Sequence, residues 1–180
     1  HQVYDLPPLL AWNVKHTGTV PCDSWSVTAV YKAEMAPVLK LAAGFAAMEN
    51  GTVQLRGIVD EYEVELGGGG LTVTLSGRGY AARLLDNESR PVTYEQVTLR
   101  ELIRCHAEPY GITCGAAADL RSTVPYTAGA GVSQWKVISE FCRTCGGFLP
   151  RFAKTGELLA VPEKDDGKRI VIDDSSPVLE

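Results

Sequence analysis

Residues 50–87, NGTVQLRGIVDEYEVELGGGGLTVTLSGRGYAARLLDN, restrict the possible folds of this chain more than any other stretch. Asn50-Gly51 sits between alternating segments, the strongest short-range hairpin signal, because both turn positions need positive φ. The alternation that follows predicts Ile58, Tyr62, Val64 and Leu66 on one face and Glu61, Glu63 and Glu65 on the other. Beyond a four-glycine break at residues 67–70, Leu71, Val73 and Leu75 alternate with Thr72, Thr74 and Ser76. Such period-two patterning predicts an antiparallel sheet with one wet face. Ser76-Gly77-Arg78-Gly79 predicts a corner, its glycines marking either positive φ or close approach of two backbones.

Upstream, residues 9–14 and 24–31 predict two further strands, the second with Trp25, Val27, Ala29 and Tyr31 on one face. The Ala-rich segment 36–48 has helical composition. Pro37 and Gly44 interrupt it, so we expect a loop and then a strand over residues 44–49.

The patterning changes near Asn87. Thr98-x-x-Glu101 is a capping box, opening a helix with Leu99, Leu102, Ile103 and His106 on its apolar face and Pro109 as its stop. Ser133 predicts the N-cap of a second helix that buries Trp135, Ile138, Phe141, Cys142 and Cys145 and ends at Gly146-Gly147. Residues 148–152 and 157–161 predict a hairpin around Lys154-Thr155-Gly156. A turn at 164–168 then leads into a strand at 169–173. The chain starts at His1 and stops just after that strand, so a fragment of a longer protein is expected.

Net charge is −5, which disfavours a nucleic-acid partner held by phosphate neutralisation. The longest apolar run, 36–48, is broken by Lys40 and falls short of the roughly 20 residues that cross a bilayer. No segment has the basic start and apolar centre of a signal peptide.

Five cysteines, Cys22, Cys105, Cys114, Cys142 and Cys145, are an odd number and sparse, unlike a disulfide framework. Cys142-x-x-Cys145, with Cys105, His106 and Cys114 upstream, is the sharpest chemical candidate, since zinc takes four thiolate or imidazole ligands. A second CxxC is absent and both cysteines of the pair fall on a helix's apolar stripe, so buried reduced thiols are the favoured expectation. Zinc comes second and a redox pair third.

His106 on an apolar face reads as a satisfied core histidine rather than a base for Cys105 or Cys114. Gly131-Val132-Ser133-Gln134-Trp135 lacks the last glycine of a nucleophile elbow. The glutamates of residues 60–65 alternate onto a solvated face, whereas a general acid needs desolvation. Residues 67–70 lack the Lys-Ser/Thr and helix of a phosphate loop. No catalytic, cofactor or metal residue is therefore assigned. A solvated acidic face with this spacing suits contact with a basic surface on a partner.

Five pieces, in order, resemble the tail or baseplate hub proteins of phages and phage-like elements, of the Mu hub type and its Gram-positive prophage relatives. They are PCDSWSV at 21–27, GIVDEY at 57–62, LSGRGYAARLLDN at 75–87, TLRELI at 98–103 running into PYGI at 109–112, and QWKVISEFC at 134–142 before Gly146-Gly147. The likeness spans residues 4–161, and the chain ends earlier than such hubs do.

The resemblance implies a mainly β fold with inserted helices, α+β, in two small barrel-like tube domains. Residues 1–90 would be the all-β unit, and 91–180 an α+β unit truncated at its C-terminus. It implies a non-catalytic virion component, assembled in the bacterial cytoplasm without cofactor, that joins tail tube to spike as a homotrimer when full length. Its partners would be other tail and baseplate proteins, with no nucleic acid and no membrane insertion. The alternatives from other classes are a cell-wall hydrolase module, for which Glu108 and Asp119 are the acids to test, and a zinc-stabilised binding module.

Overall fold

The computed structural model describes residues 3–18 and 21–164. In chain order the strands and helices are β1 (Leu9–Lys15), β2 (Ser24–Val30), α1 (Ala36–Leu39), β3 (Gly44–Glu49), β4 (Thr52–Gly67), β5 (Gly70–Gly79), α2 (Ala82–Leu85) and β6 (Val92–Tyr94). There follow α3 (Leu99–His106), β7 (Cys114–Ala117), β8 (Tyr126–Ala128), α4 (Gln134–Gly146), β9 (Arg151–Phe152) and β10 (Leu158–Ala160). Single 3-10 turns occupy Ala33–Met35 and Glu108–Tyr110. The fold is mainly β with a few helices. The turn and strand expected at 164–173 lie outside the described residues from Asp165 onward.

Five antiparallel strands form an open sheet in the order β1-β2-β5-β4-β3. The β3-β4-β5 meander has β2 beside its last strand, and a long connection joins β2 to β3, as in a Greek key. Asn50 and Gly51 turn β3 into β4 with φ of 50° and 78°, the positive pair that an Asn-Gly hairpin requires. In the β2–β3 connection, residues 36–39, expected as loop, coil instead into α1, directly after the 3-10 turn. Met35 and Leu39 there are buried against Trp25, Val27, Ala29, Leu55, Val73 and Leu75. Leu55, Trp25 and their neighbours thus form one core under the sheet.

The sheet's register shifts between Leu9 and Ala11, between Ala47 and Met48, and, with most consequence for the inner face, within β4. A β-bulge at Asp60 breaks the β4–β5 register between Val59 and Glu61. The extra residue reverses the parity, so Val59, rather than Ile58, shares a face with Tyr62, Val64 and Leu66. Ser76-Gly77-Arg78-Gly79, expected as a corner, is the end of β5, and the chain turns only at Tyr80. Neither Gly77 nor Gly79 has positive φ. Close backbone approach is therefore the reason at Gly77, where a side chain would overlap the Ile58 carbonyl and the Trp25 ring; at Gly79 the nearest neighbour is the Asp23 Cβ.

Arg78 is the clamp at this point. It donates to both oxygens of Asp60 at 2.8 and 2.9 Å and to both oxygens of Asp86 at 3.0 and 2.8 Å. Hydrogen bonds from Arg78 hold the Asp86 carboxyl below its usual range. The bulge thus aims Asp60 at the arginine that ties the sheet to the residue capping α2.

A second hydrophobic cluster gathers α2, α3, α4 and the small strands around Leu84, Leu99, Leu102, Ile103, Ile138, Phe141 and Leu158. Thr98 accepts from the Glu101 amide while Glu101 Oε2 accepts from the Thr98 amide at 2.8 Å, the reciprocal capping box. α3 ends at His106, and Pro109 sits inside the following 3-10 turn rather than ending the helix itself. Ser133 caps α4 and Gly147, with φ 69°, closes it. β10 pairs antiparallel with β9 and parallel with β7; β6 pairs with β8. The pairings of β6, β7 and β8 had no counterpart in the sequence expectations. Leu84 belongs to this second cluster although it precedes residue 90.

Candidate interaction surface

The thiol and imidazole candidates do not converge. Cys142 is fully buried in the second cluster. Cys145 is exposed, as are Cys105 and Cys114, which corrects the expectation of uniformly buried thiols. Cys145 falls on the apolar stripe of α4 by angle, but it lies in the last turn, past the packed core. Among the described residues, no three His, Cys, Asp or Glu side chains are grouped to hold a metal ion.

His106 is buried with both ring nitrogens engaged, Nδ1 with Gln134 Oε1 at 2.6 Å and Nε2 with the Tyr94 hydroxyl at 3.0 Å. Gln134 Nε2 donates to the Glu88 carbonyl and the Tyr110 hydroxyl, each at 2.8 Å, so Oε1 must be the acceptor. The proton therefore sits on Nδ1, and Tyr94 donates to Nε2. This closed network joins α3, α4 and β6 and leaves no nitrogen free to take a proton from a substrate. Glu108 and Asp119 are both exposed, lacking the desolvation a general acid needs.

Burial pushes the Cys142 thiol up from 9.0 to about 12, and the Tyr126 phenol up from 10.0 to about 12. Both are raised acids, so their contribution to stability is intact below the unfolded values and is lost as pH climbs toward 12. The urea midpoint is expected to fall steeply between about pH 9 and 12. Cys142→Ala should flatten the lower part of that fall and Tyr126→Phe the upper part. An unchanged profile in both variants would contradict this assignment.

A cleft of about 190 Å³ between the sheet and β9 is lined by Asp23, Arg56, Tyr80, Arg151 and Lys154. It is smaller than ordinary ligand pockets. Arg151 donates to the Val161 carbonyl and Lys154 to Gln54, so the cations act as ties between segments.

The surface that stands out is the far end of the β4–β5 hairpin. Every residue from 60 to 71 is exposed. One wet face was expected, and here both faces are wet. Across the inner face, Trp12, Val27, Leu75 and Tyr62 form one row of paired residues, and Leu9, Ala29, Val73 and Val64 form the next. The central members are buried while the flanks are bare, Trp12 at 70% and Tyr62 at 41% exposure. At the tip Leu66 reaches 80%. The outer face carries Glu61, Glu63 and Glu65 opposite Ser76, Thr74 and Thr72. Only Glu61 has a side-chain partner among the described contacts, the Ser76 hydroxyl at 3.0 Å.

The fold is similar to those of two tail proteins of known structure. The chain is similar to a tail protein from Neisseria meningitidis MC58, at 16% identity and a TM-score of 0.68, over 92% of this chain and 50% of that one. It is also similar to the 43 kDa tail protein of prophage MuSo2 from Shewanella oneidensis, at 17% identity and a TM-score of 0.62, over 81% of this chain and 47% of that one. The chain thus spans about half the length of each. No protein-family model matches the sequence, and no curated protein matches it. Both of these similar structures are tail proteins, the class that the five sequence pieces resemble.

Proposed function

We propose that this chain is a structural, non-catalytic part of a phage or prophage tail, a baseplate hub component that joins the tail tube to the spike. The likeness of fold over 92% of the chain to a tail protein carries the proposal. The exposed two-faced hairpin supports it, since a surface of this kind serves contact rather than chemistry. Division into units at 1–90 and 91–180 belongs to the same proposal and is supported by the two separate hydrophobic clusters. So do two barrel-like tube domains, assembly in the bacterial cytoplasm and trimerisation of the full-length protein around the tail axis.

The test is immunogold labelling of intact tails with an antibody raised against this chain, paired with light scattering of the full-length protein. Label at the tube–spike junction and a threefold mass are expected. Label along the shaft, no label at all, or a strict monomer at high concentration overturns the hub assignment.

A further inference from the structure

We infer that the free edge of β4, residues 60–67, is the docking site for an added antiparallel strand from a different protein. That strand carries alternating apolar and basic side chains.

The edge is free because β3 pairs with β4 only as far as Ile58, opposite Gly44. From Asp60 onward β4 has β5 on one side and no described strand on the other. A strand added there would extend the existing antiparallel order, its main-chain groups pairing with those left open. Alternation dictates its side chains. Residues on the inner face would meet Tyr62, Val64 and Leu66, a bare apolar flank that runs into an open groove lined by Leu10, Val30, Leu66 and Leu71. Residues on the outer face would meet Glu61, Glu63 and Glu65, spaced two apart and facing hydroxyl residues instead of cations. Charge complementarity therefore asks for Lys or Arg at alternate positions.

A second copy fits less well. Of the two end strands of this sheet, β3 (GFAAME) has no cation, and β1 brings Trp12 and Val14 to the inner face but only Lys15 as a cation on the outer one, beside Asn13. One cation against three carboxylates leaves two uncompensated, in a chain whose net charge is already −5. The glutamates thus repel further copies and other acidic strands while admitting a basic one. The tail-protein proposal bears only on which protein supplies the strand.

The test uses the whole chain and an alternating Lys–Val peptide of about eight residues, enough to cover the free edge. Calorimetric titration reports affinity, and amide hydrogen exchange reports where the peptide lies. Binding is expected at low salt, with slowed exchange confined to residues 60–67 and the tip. An alternating Glu–Val peptide should not bind, and a Lys–Thr peptide should bind more weakly. The triple variant Glu61→Gln, Glu63→Gln, Glu65→Gln should lose about tenfold in affinity with its urea midpoint unchanged.

Equal binding by the Lys–Thr peptide, equal binding by the triple variant, or protection elsewhere overturns the inference. Self-association that protects both β1 and residues 60–67 overturns it in favour of a second copy. Failure of the peptide arms alone would leave the immunogold result, and with it the hub assignment, untouched.

Discussion

Gly77→Ala is expected to destabilise the chain by about 3 kcal/mol or more, or to prevent folding. Gly77 lies in β5 opposite Val59, beneath the ring of Trp25. A methyl at this position would overlap the Ile58 carbonyl oxygen and come within 2.9 Å of the indole. Neither neighbour can yield. Ile58 is fixed by the ladder, and its carbonyl accepts from Trp25 Nε1 at 3.2 Å. Trp25 in turn is stacked on Phe45 with ring centroids 3.7 Å apart. The added carbon would push the indole off Phe45 and break its hydrogen bond. Gly68→Ala, at the open tip of the same hairpin, meets nothing within 4 Å and is the matched control. Urea denaturation followed by tryptophan fluorescence gives both values. Near-equal midpoints for the two variants would remove close packing as the reason for Gly77.

How much of this was legible in the sequence depends on how local each signal is. Asn50-Gly51, the Thr98 capping box and the Ser133 cap with its Gly147 closure each involve residues within one turn of one another, and all stand as read. Strand β3 was also legible, because Gly44 and Asn50-Gly51 bound it closely.

The bulge at Asp60 was not legible. A bulge is a relation between two strands, and unbroken alternation in β4 conceals the one-residue shift that moves Ile58 to the other face. Exposure of the hairpin's apolar face was hidden for a similar reason. Tyr62 and Val64 have the same pattern as Leu55, and what separates them is how far the Met35–Leu39 connection reaches across the sheet. The exposed apolar flank is therefore composed of residues whose alternation points to a buried face. The hairpin's acidic face, by contrast, was legible at once, since three glutamates at alternate positions can only be solvated or partnered from outside.

Gln134→Leu is expected to destabilise by about 3 kcal/mol, although the change adds apolar volume to an apolar neighbourhood. The side-chain amide is the hinge of the buried network. It accepts from His106 and donates to Tyr110 and to the Glu88 carbonyl, and the Gln134 amide nitrogen of the backbone also donates to the Asn87 carbonyl. Leucine keeps the backbone bond but orphans the buried His106 Nδ1, the half-buried Tyr110 hydroxyl and the more exposed Glu88 carbonyl, and a fully buried orphan costs about 1–3 kcal/mol before relaxation. His106→Leu alone orphans Gln134 Oε1 and the Tyr94 hydroxyl. In the double variant the His106 and Gln134 groups disappear together, leaving only Tyr94, Tyr110 and Glu88 short of one partner each. The two single losses should therefore sum to more than the loss in the double variant, by about 1 kcal/mol or more. Strict additivity in the urea midpoints would mean that His106 and Gln134 act separately. Coupling would show that the network acts as one unit, tying α3, α4 and the segment just after α2 together within the second cluster.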